Sequence, residues 1–216
     1  MKRCLRLSSI FILFLASCSS PYKKLQTVPA PQGSALAFKP VFDKVLYRGT
    51  VNGGFLFKKF HLSGLLFFKT LENGTVRAIY QNEMGFTFFD LEWDHNDSFK
   101  VNQVMPRLDR PAVIKTLRKD IELLLMKGLK KESEVVFRDR GKLIFRRLDI
   151  SGGYAYYVED SGRLVRIENA GEKSKVVTMN IEGKDQPSGM PKQVFIDHHK
   201  ANFTIQLTKL DSYADE

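Results

Sequence analysis

The fold is decided within residues 61–93, which read HLSGLLFFKTLENGTVRAIYQNEMGFTFFDLEW. Glycine and asparagine readily adopt the positive φ angles of tight hairpin turns. Asn73-Gly74 and Glu83-Met84-Gly85 separate three runs rich in β-branched and aromatic residues, at 61–70, 75–81 and 86–93. The stretch therefore predicts three consecutive antiparallel strands.

The same pattern of short strands and turns continues on both sides of this stretch. Asp139-Arg140-Gly141 and Asp160-Ser161-Gly162 again separate the runs. A long antiparallel meander predicts a mainly β chain with few helices (α+β), built on an open, curved sheet or incomplete β-barrel of about 11–12 strands. The predicted strands are residues 43–52, 61–70, 75–81, 86–93, 98–105, 134–138, 142–149, 153–159, 163–169, 175–182, 193–200 and 202–209.

Residues 106–132 interrupt the strands and predict one amphipathic helix. Asp109 is the predicted N-cap, Pro111 lies in the first turn and Gly128 is the predicted C-cap. Because an apolar stripe must be buried, we expect the helix to cover one face of the sheet. The stripe consists of Val113, Ile114, Leu117, Ile121, Leu124 and Leu125.

The first residues of the chain have the organisation of a secretory signal peptide. Basic residues at positions 2, 3 and 6 precede an apolar run at 10–15, which is too short to span a bilayer. Leu15-Ala16-Ser17-Cys18 then resembles the lipobox of bacterial lipoproteins. The resemblance implies cleavage of residues 1–17 and attachment of a diacylglycerol, with fatty acyl chains such as palmitate, to the Cys18 thiol. The alternative is an ordinary signal peptide followed by a chance cysteine.

Cleavage at this point changes the charge and the cysteine count. The whole chain has 34 basic and 24 acidic residues and a net charge of +10, and the loss of three basic residues leaves +7. With Cys4 removed and Cys18 acylated, the mature chain has no disulfide and no cysteine for catalysis or metal binding. We expect the basic body to lie near anionic lipid head groups, and not on nucleic acid, which an exported lipoprotein seldom meets.

Composition divides the rest of the chain into three parts. Residues 18–37 are rich in proline and serine and predict a flexible tether. Residues 38–210 form a single β-rich domain, and residues 211–216 form a tail. Ser19, and the lack of an aspartate beside Cys18, resembles the enterobacterial signal for the outer membrane; no acidic run follows, so we expect the body to face the periplasm.

Phenylalanine is concentrated in the first half of the domain, with 11 of the 17 residues between positions 38 and 99. In 202–209 apolar and polar residues alternate, as in a sheet with one wet face. In 65–68 and 86–93 the alternation fails, so something must cover both faces there. Either two layers of ordinary core lie there under the helix and loops, or an apolar cavity or exposed patch receives a lipid or an apolar partner segment. The candidate cavity residues are Phe67, Phe68, Phe86, Phe88, Phe89 and Trp93.

A second candidate site follows Gly53-Gly54, between the first two strands. Large apolar side chains flank two lysines there, as in a loop that enters a membrane interface while its cations stay with the head groups. The alternative is that Phe55 and Phe57 simply begin a strand with its apolar side inward. The candidate membrane-contact residues are Phe55, Leu56, Phe57, Lys58, Lys59 and Phe60.

The sequence contains few residues suited to catalysis. It has four histidines, and His198 and His199 are adjacent on a predicted strand, so they point to opposite faces and are poorly placed to bind one metal ion. Motifs typical of serine hydrolases, zinc proteases and phosphate-binding loops are absent from the sequence. We therefore expect a protein that is not an enzyme and needs no metal or cofactor.

The order of these features resembles one known family. The chain has a lipobox and a tether, then paired strands containing His61-Leu62-Ser63-Gly64-Leu65-Leu66-Phe67-Phe68-Lys69, a strand pair around Met84-Gly85-Phe86, the helix and five or more further strands. This order looks like that of the Lol-type lipoprotein carriers and outer-membrane lipoprotein receptors. The resemblance covers residues 43–210. It implies an incomplete barrel whose helices cover a cavity that binds acyl chains; this chain shows one clear helix where that family uses several.

The sequence supports two alternative functions. The first is a lipoprotein of the outer membrane that faces the periplasm and binds lipid or an acylated lipoprotein, with a role in lipid or lipoprotein transport. The second is a non-catalytic structural subunit whose phenylalanine-rich face docks on another envelope protein. A void beneath the helix favours the first, and a flat exposed patch favours the second.

Overall fold

Thirteen antiparallel strands form one sheet in the part of the chain that the structure describes. The structure is a computed structural model and describes residues 20–31, 33–55 and 58–210, the side chains of Phe55 and Lys58 excepted. The strands are β1 (Gln26–Thr27), β2 (Lys44–Phe55), β3 (Lys58–Thr70), β4 (Val76–Gln81), β5 (Thr87–Trp93), β6 (Phe99–Val104), β7 (Lys130–Arg138), β8 (Ile144–Ile150), β9 (Gly153–Asp160), β10 (Arg163–Ala170), β11 (Lys175–Glu182), β12 (Gln193–His198) and β13 (Phe203–Lys209). The predictions for residues 1–17, for Cys18 and for 211–216 lie outside the described residues.

The sheet is open, with strand order β1-β7-β8-β9-β10-β11-β12-β13-β2-β3-β4-β5-β6. Strands β7 to β13 and β2 to β6 each follow the meander order of the sequence, and β13 pairs with β2 to join the two groups. The edges β1 and β6 do not pair with one another in the described chain. This confirms the predicted incomplete barrel, and the one strand beyond the expected number is β1.

The α-helix α1 (Pro111–Leu125) lies between β6 and β7 in sequence and packs on one face of the sheet. Trp93 of β5 donates a hydrogen bond from its indole nitrogen to Glu122 (3.0 Å), and the Tyr157 hydroxyl of β9 donates one to the Leu123 carbonyl (3.1 Å). The helix therefore bridges distant parts of the sheet. It is the only α-helix among residues 20–31, 33–55 and 58–210, and it is not long and apolar enough to cross a membrane.

Both predicted helix caps are wrong by a residue or two. Arg110, and not Asp109, holds the N-cap position, and its side chain makes no capping hydrogen bond. The C-cap is Met126 in the left-handed conformation, with φ 54°, two residues before Gly128. Burial of the Met126 side chain in the core compensates for a backbone conformation that a methionine rarely adopts.

Both faces of the sheet carry apolar clusters. Successive side chains of a strand point to opposite faces, and in β9 Ala155 and Tyr157 belong to the large core under α1, while Tyr156 and Val158 belong to a smaller cluster. We call the side under α1 the inner face and the other side the outer face.

The predicted flexible tether, residues 18–37, is corrected by the structure over its described part. The N-terminal segment, residues 20–31 and 33–38, packs along the sheet. Tyr22 stacks on Tyr156 of the outer face, with ring centroids 4.0 Å apart, and β1 extends the sheet beside β7. A 3-10 helix (Ala35–Phe38) then enters the inner core. A high content of proline and serine predicts a flexible backbone for a segment that makes no other contacts. Here a few aromatic and apolar side chains bury enough surface to order the segment.

Candidate functional site: an apolar cavity beneath the helix

A cavity of about 390 Å³ lies between α1 and the inner face of the sheet. This volume is within the range of small-molecule binding sites. Its wall is almost entirely apolar. The sheet contributes Val51, Leu62, Leu66, Phe68, Tyr80, Phe89, Ile196, Phe203, Ile205 and Leu207, and the helix contributes Ala112, Val113, Thr116, Leu117, Asp120, Ile121 and Leu124.

The periodicity of each element explains why these residues share the wall. Leu62, Leu66 and Phe68 are separated by even numbers of residues along β3, so they point to one face. On α1 the lining positions recur at three- to four-residue intervals, which places them on one side of the helix. The two apolar surfaces therefore face one another across the cavity.

Small residues keep the space between them open. Gly49 of β2 lies in the wall opposite Gly64 of β3, and the Tyr80 hydroxyl donates a hydrogen bond to the Gly49 carbonyl (3.1 Å). A Cβ on Gly64 would lie 2.2 Å from the Gln81 carbonyl oxygen, so the close approach of β3 and β4 requires a glycine there. Glycine in a strand is typical of a bend or a close backbone approach.

The protruding hairpin β2–β3 borders the cavity. Strand β4 begins to pair with β3 only at Leu65, opposite Gln81, so residues 58–64 of β3 extend beyond β4. Phe60 lies on this extension, lines the cavity and is nevertheless 45% exposed. The cavity therefore reaches the solvent beside this hairpin.

One polar pair interrupts the apolar wall. Asp120 of α1 lines the cavity, and its Oδ2 lies 2.9 Å from Nε2 of His198, at the end of β12. Both side chains are buried, and the His198 ring stacks on Phe203 with centroids 3.8 Å apart. Burial raises the pKa of the Asp120 carboxyl, although the hydrogen bond to His198 opposes the shift.

Solved structures with a similar fold exist. No protein-family profile matches the chain, and no curated protein matches it in sequence. A LolA-superfamily protein from Nitrosomonas europaea superposes with a TM-score of 0.51 at 9% identity, over 82% of this chain and 89% of that chain. The fold is LolA-like. This confirms the Lol-type fold that the order of elements predicts.

Two further structures are similar over most of their length but superpose less well. A protein domain from Vibrio parahaemolyticus, named as an outer membrane lipoprotein-sorting protein, has a TM-score of 0.48 at 8% identity, over 84% of this chain and 91% of that chain. A DUF1329 family protein from Desulfovibrio piger has a TM-score of 0.43 at 9% identity, over 84% and 92%.

The LolA-like sheet brings only two of the six predicted aromatic residues into the cavity wall. Phe68 and Phe89 line it. Phe67 is not part of the wall because it lies between two inner-facing residues of β3 and so points outward. The sequence could not separate these residues, since both faces of this strand are apolar.

The other three predicted aromatics lie outside the wall for different reasons. Phe88 lies at the irregular start of β5, where the register with β4 shifts, and packs in the core 5.1 Å from the Tyr80 ring. Phe86 precedes that strand and is 52% exposed. Trp93 is fully buried and holds α1 through Glu122, so it supports the helix instead of contacting the cavity.

Part of the predicted membrane-contact loop can be placed. Leu56, Phe57 and the side chains of Phe55 and Lys58 lie outside the described residues; Phe55 ends β2 and pairs through its backbone with Lys58. Lys59 and Phe60 are exposed on the protruding hairpin.

The sequence reasoning missed the contribution of the last strands and of Asp120. Phe203, Ile205 and Leu207 alternate along β13, and this alternation already indicates one apolar face. Asp120 follows Val113 and Leu117 on the apolar stripe of α1 at helical spacing, which is an unusual place for a carboxylate. An acidic residue within an apolar stripe is the sequence feature that could have identified Asp120 as part of the site.

Proposed function

We propose that this chain is a lipid-anchored carrier or receptor that holds an acyl chain of a lipid or a lipidated protein in the cavity beneath α1. The observation that supports the proposal most strongly is the cavity itself, about 390 Å³ with one charged side chain among its lining residues. Burial of each methylene group of a ligand there would contribute about 0.8 kcal/mol. The LolA-like fold is consistent with this role.

The role is non-catalytic and belongs to the cell envelope. The signal-peptide pattern and the lipobox-like residues ending at Cys18 support export and anchoring. The adjacent Ser19 supports the outer membrane, with the body facing the periplasm. Apolar hairpin tips with nearby lysines are typical of membrane contact, and exposed Phe60 and Lys59 on the β2–β3 hairpin support this region as the contact with the bilayer.

The alternative of a structural docking subunit has less support. That reading needs the phenylalanine-rich face of the sheet to be flat and exposed. Phe68 and Phe89 instead face the cavity, and Phe88 is buried. Of the candidate aromatics, only Phe86 offers a large exposed surface to a protein partner.

Filling the cavity tests the proposal. Val113→Phe places a larger side chain in the wall, whereas Ile114→Phe makes a similar change one residue further along α1, outside the wall. We expect Val113→Phe to weaken binding of a fluorescent palmitoyl probe by about tenfold or more, because overpacking removes the space for the ligand. Ile114→Phe should bind as the parent chain does.

The assay uses the full chain carrying Cys18→Ser, so that its own lipid anchor does not compete with the probe. Fluorescence titration gives the dissociation constant, and urea unfolding shows that both variants are folded. Failure of the parent chain to bind the probe, or equal binding by the two phenylalanine variants, would contradict the proposal.

A further inference from the structure

One end of the sheet carries the opening of the cavity. Alternate turns of an antiparallel meander lie at the same edge. The segments at this edge are the tip of the β2–β3 hairpin, residues 82–86 between β4 and β5, residues 105–110 between β6 and α1, and residues 199–202 between β12 and β13. Phe60, Leu108 and Ala201 of these segments line the cavity. We call this edge the mouth end.

The β4–β5 turn at the mouth end presents apolar side chains to the solvent. Met84 is 93% exposed and Phe86 is 52% exposed. The turn is nevertheless ordered, because the Asn82 side-chain oxygen accepts hydrogen bonds from the amides of Met84 (3.0 Å) and Phe86 (2.8 Å). With Phe60 on the adjacent hairpin, these side chains form an exposed apolar group, as is typical of protein or membrane interaction sites.

Backbone hydrogen bonds hold the neighbouring loops beside this apolar group. The Met105 amide donates to the Phe88 carbonyl (2.9 Å), just after the β4–β5 turn. The Gly54 amide donates to the Asn202 carbonyl (3.0 Å), beside the β2–β3 hairpin. The charges of these loops therefore surround the exposed apolar side chains.

The charges at the mouth end suit an anionic lipid surface. The exposed basic residues of these segments are Lys59, Arg107, Arg110 and Lys200, and the exposed acidic residues are Glu83 and Asp109. None of the four basic residues forms an ion pair within the part of the chain that the structure describes. At a membrane interface apolar side chains enter the lipid, and cations stay with the phosphates of anionic head groups.

The N-terminal segment begins near the same end. The Tyr22 hydroxyl donates to Glu168, two residues before the end of β10, and the Lys175 amine at the start of β11 lies 5.8 Å from the Tyr22 ring centroid. The turn between β10 and β11 belongs to the mouth end, because the His199 amide beside the β12–β13 turn donates to the Val176 carbonyl (3.0 Å).

This position limits where a lipid on Cys18 can insert. Cys18 precedes Tyr22 by four residues. Four residues of fully extended chain span at most about 14 Å. A bilayer that holds the anchor therefore comes within that distance of Tyr22. A long free tether would leave the body free to turn, whereas this short connection favours an orientation with the mouth end toward the membrane of the anchor.

We propose that the β4–β5 turn is a second membrane contact beside the β2–β3 hairpin, and that the chain docks with its cavity mouth on the anionic bilayer that holds its own anchor. This inference rests on the proposed function, because it uses the lipid anchor and the acyl-binding cavity. Met84 and Phe86 enter the interface, and the basic residues named above stay with the head groups. An acyl chain then passes between the cavity and the bilayer without crossing water.

Tryptophan placed at single exposed sites tests this orientation. The acylated chain, extracted from membranes, is reconstituted in liposomes of phosphatidylethanolamine and phosphatidylglycerol, with or without brominated acyl chains that quench tryptophan. Met84→Trp reports on the β4–β5 turn. Val41→Trp is the matched control, because Val41 is 76% exposed and its amide donates to the Ser188 carbonyl, between β11 and β12 at the opposite end of the sheet. Trp93 is fully buried and gives the same background in both variants.

We expect brominated lipid to remove about half of the emission that Met84→Trp adds, because a side chain at such a tip enters the interface by roughly 5–10 Å. The emission that Val41→Trp adds should stay unchanged. Combining Met84→Trp with Arg107→Gln and Arg110→Gln should reduce the quenching by about twofold, because fewer cations attract the anionic surface. Urea unfolding shows that each variant is folded.

Three outcomes would overturn the inference. The first is equal quenching at the two sites, and the second is full quenching after the two arginine substitutions. The third is no quenching of Met84→Trp; if the palmitoyl probe still binds, the proposed function stands and the turn is assigned to a protein partner. Failure of the extracted chain to stay with the liposomes contradicts the lipid anchor, and with it both the proposed function and this inference.

Discussion

Two buried carboxylates, one on each face of the sheet, differ in how completely they are bonded. Glu168 of the outer face accepts hydrogen bonds from the Tyr22 hydroxyl (2.6 Å), Arg166 (2.6 Å) and Lys175 (2.8 Å). Burial alone would raise its pKa, but these partners hold the pKa below its usual value. Asp120 of α1, which covers the inner face, has one partner, and its pKa is raised.

The difference shows how the two faces are covered. The first part of the N-terminal segment packs Tyr22 and Leu25 on the outer face, and Tyr22 lies at the position where Glu168 needs a donor. Helix α1 is a rigid cylinder and contacts the curved inner face only along part of its length. It carries Ala112 and Thr116 toward the sheet, so a cavity remains. A complete cover produces a stable core, and an incomplete one produces a ligand site.

The largest expected effect comes from the same change in both carboxylates. Glu168→Gln removes a buried charge from two cations, and we expect it to lower the free energy of unfolding by about 3 kcal/mol. Asp120→Asn keeps a hydrogen-bonding partner for His198 and removes an incompletely bonded charge, so its cost should be less than about 1 kcal/mol.

Urea unfolding at neutral pH measures both variants. Glu172→Gln, in the exposed turn after β10, is the matched control and should leave stability unchanged. Equal destabilisation by the two buried variants would show that the two carboxylates are bonded equally well.

A smaller effect is expected from Tyr22→Phe, which keeps the ring stacked on Tyr156 and removes the hydroxyl that donates to Glu168. The N-terminal segment should then open more often. Hydrogen exchange of the Val28 amide, which donates to the Val136 carbonyl, should accelerate about tenfold. The exchange of amides in β12 and β13 should stay unchanged, and an unchanged Val28 rate would mean that the hydroxyl does not hold the segment.

The smallest effect concerns pH. The folded-state pKa of Glu168 lies below the usual glutamate value of 4.5, so its contribution to stability is present above pH 4.5 and is lost as the pH falls through the lower folded value. The unfolding free energy of the parent chain should therefore decline across this acidic range more steeply than that of Glu168→Gln. Parallel pH profiles of the two proteins, measured by urea unfolding, would contradict the assignment.

Local patterns predicted most of the secondary structure, and errors arose where long-range packing decides. The turns at Asn73-Gly74 and Asp160-Ser161-Gly162 separate strands as expected, because hairpin turns depend on neighbouring residues. The C-cap was misplaced because burial of Met126 outweighs the preference for Gly128. The N-terminal segment was expected to be free because its contacts, such as Tyr22 with Glu168, join residues far apart in sequence.

The candidate site was predicted less completely than the fold. Period-two alternation assigns faces in β13, but in β3 both Phe67 and Phe68 are large and apolar, so the pattern cannot say which one faces the cavity. The hairpin extension that carries Phe60 depends on where β4 begins to pair. That register depends on both strands together and cannot be predicted from the sequence of either strand alone.

Hydrophobic period and turn chemistry act over a few residues, so the sequence alone predicts the antiparallel meander and the amphipathic helix, and it shows where the aromatic residues are concentrated. Only the folded molecule shows that an apolar face encloses a cavity, that Asp120 meets His198 there and that Tyr22 packs on the opposite face. Each of these depends on how distant surfaces match in shape, and the close packing of a protein interior leaves space only where they do not.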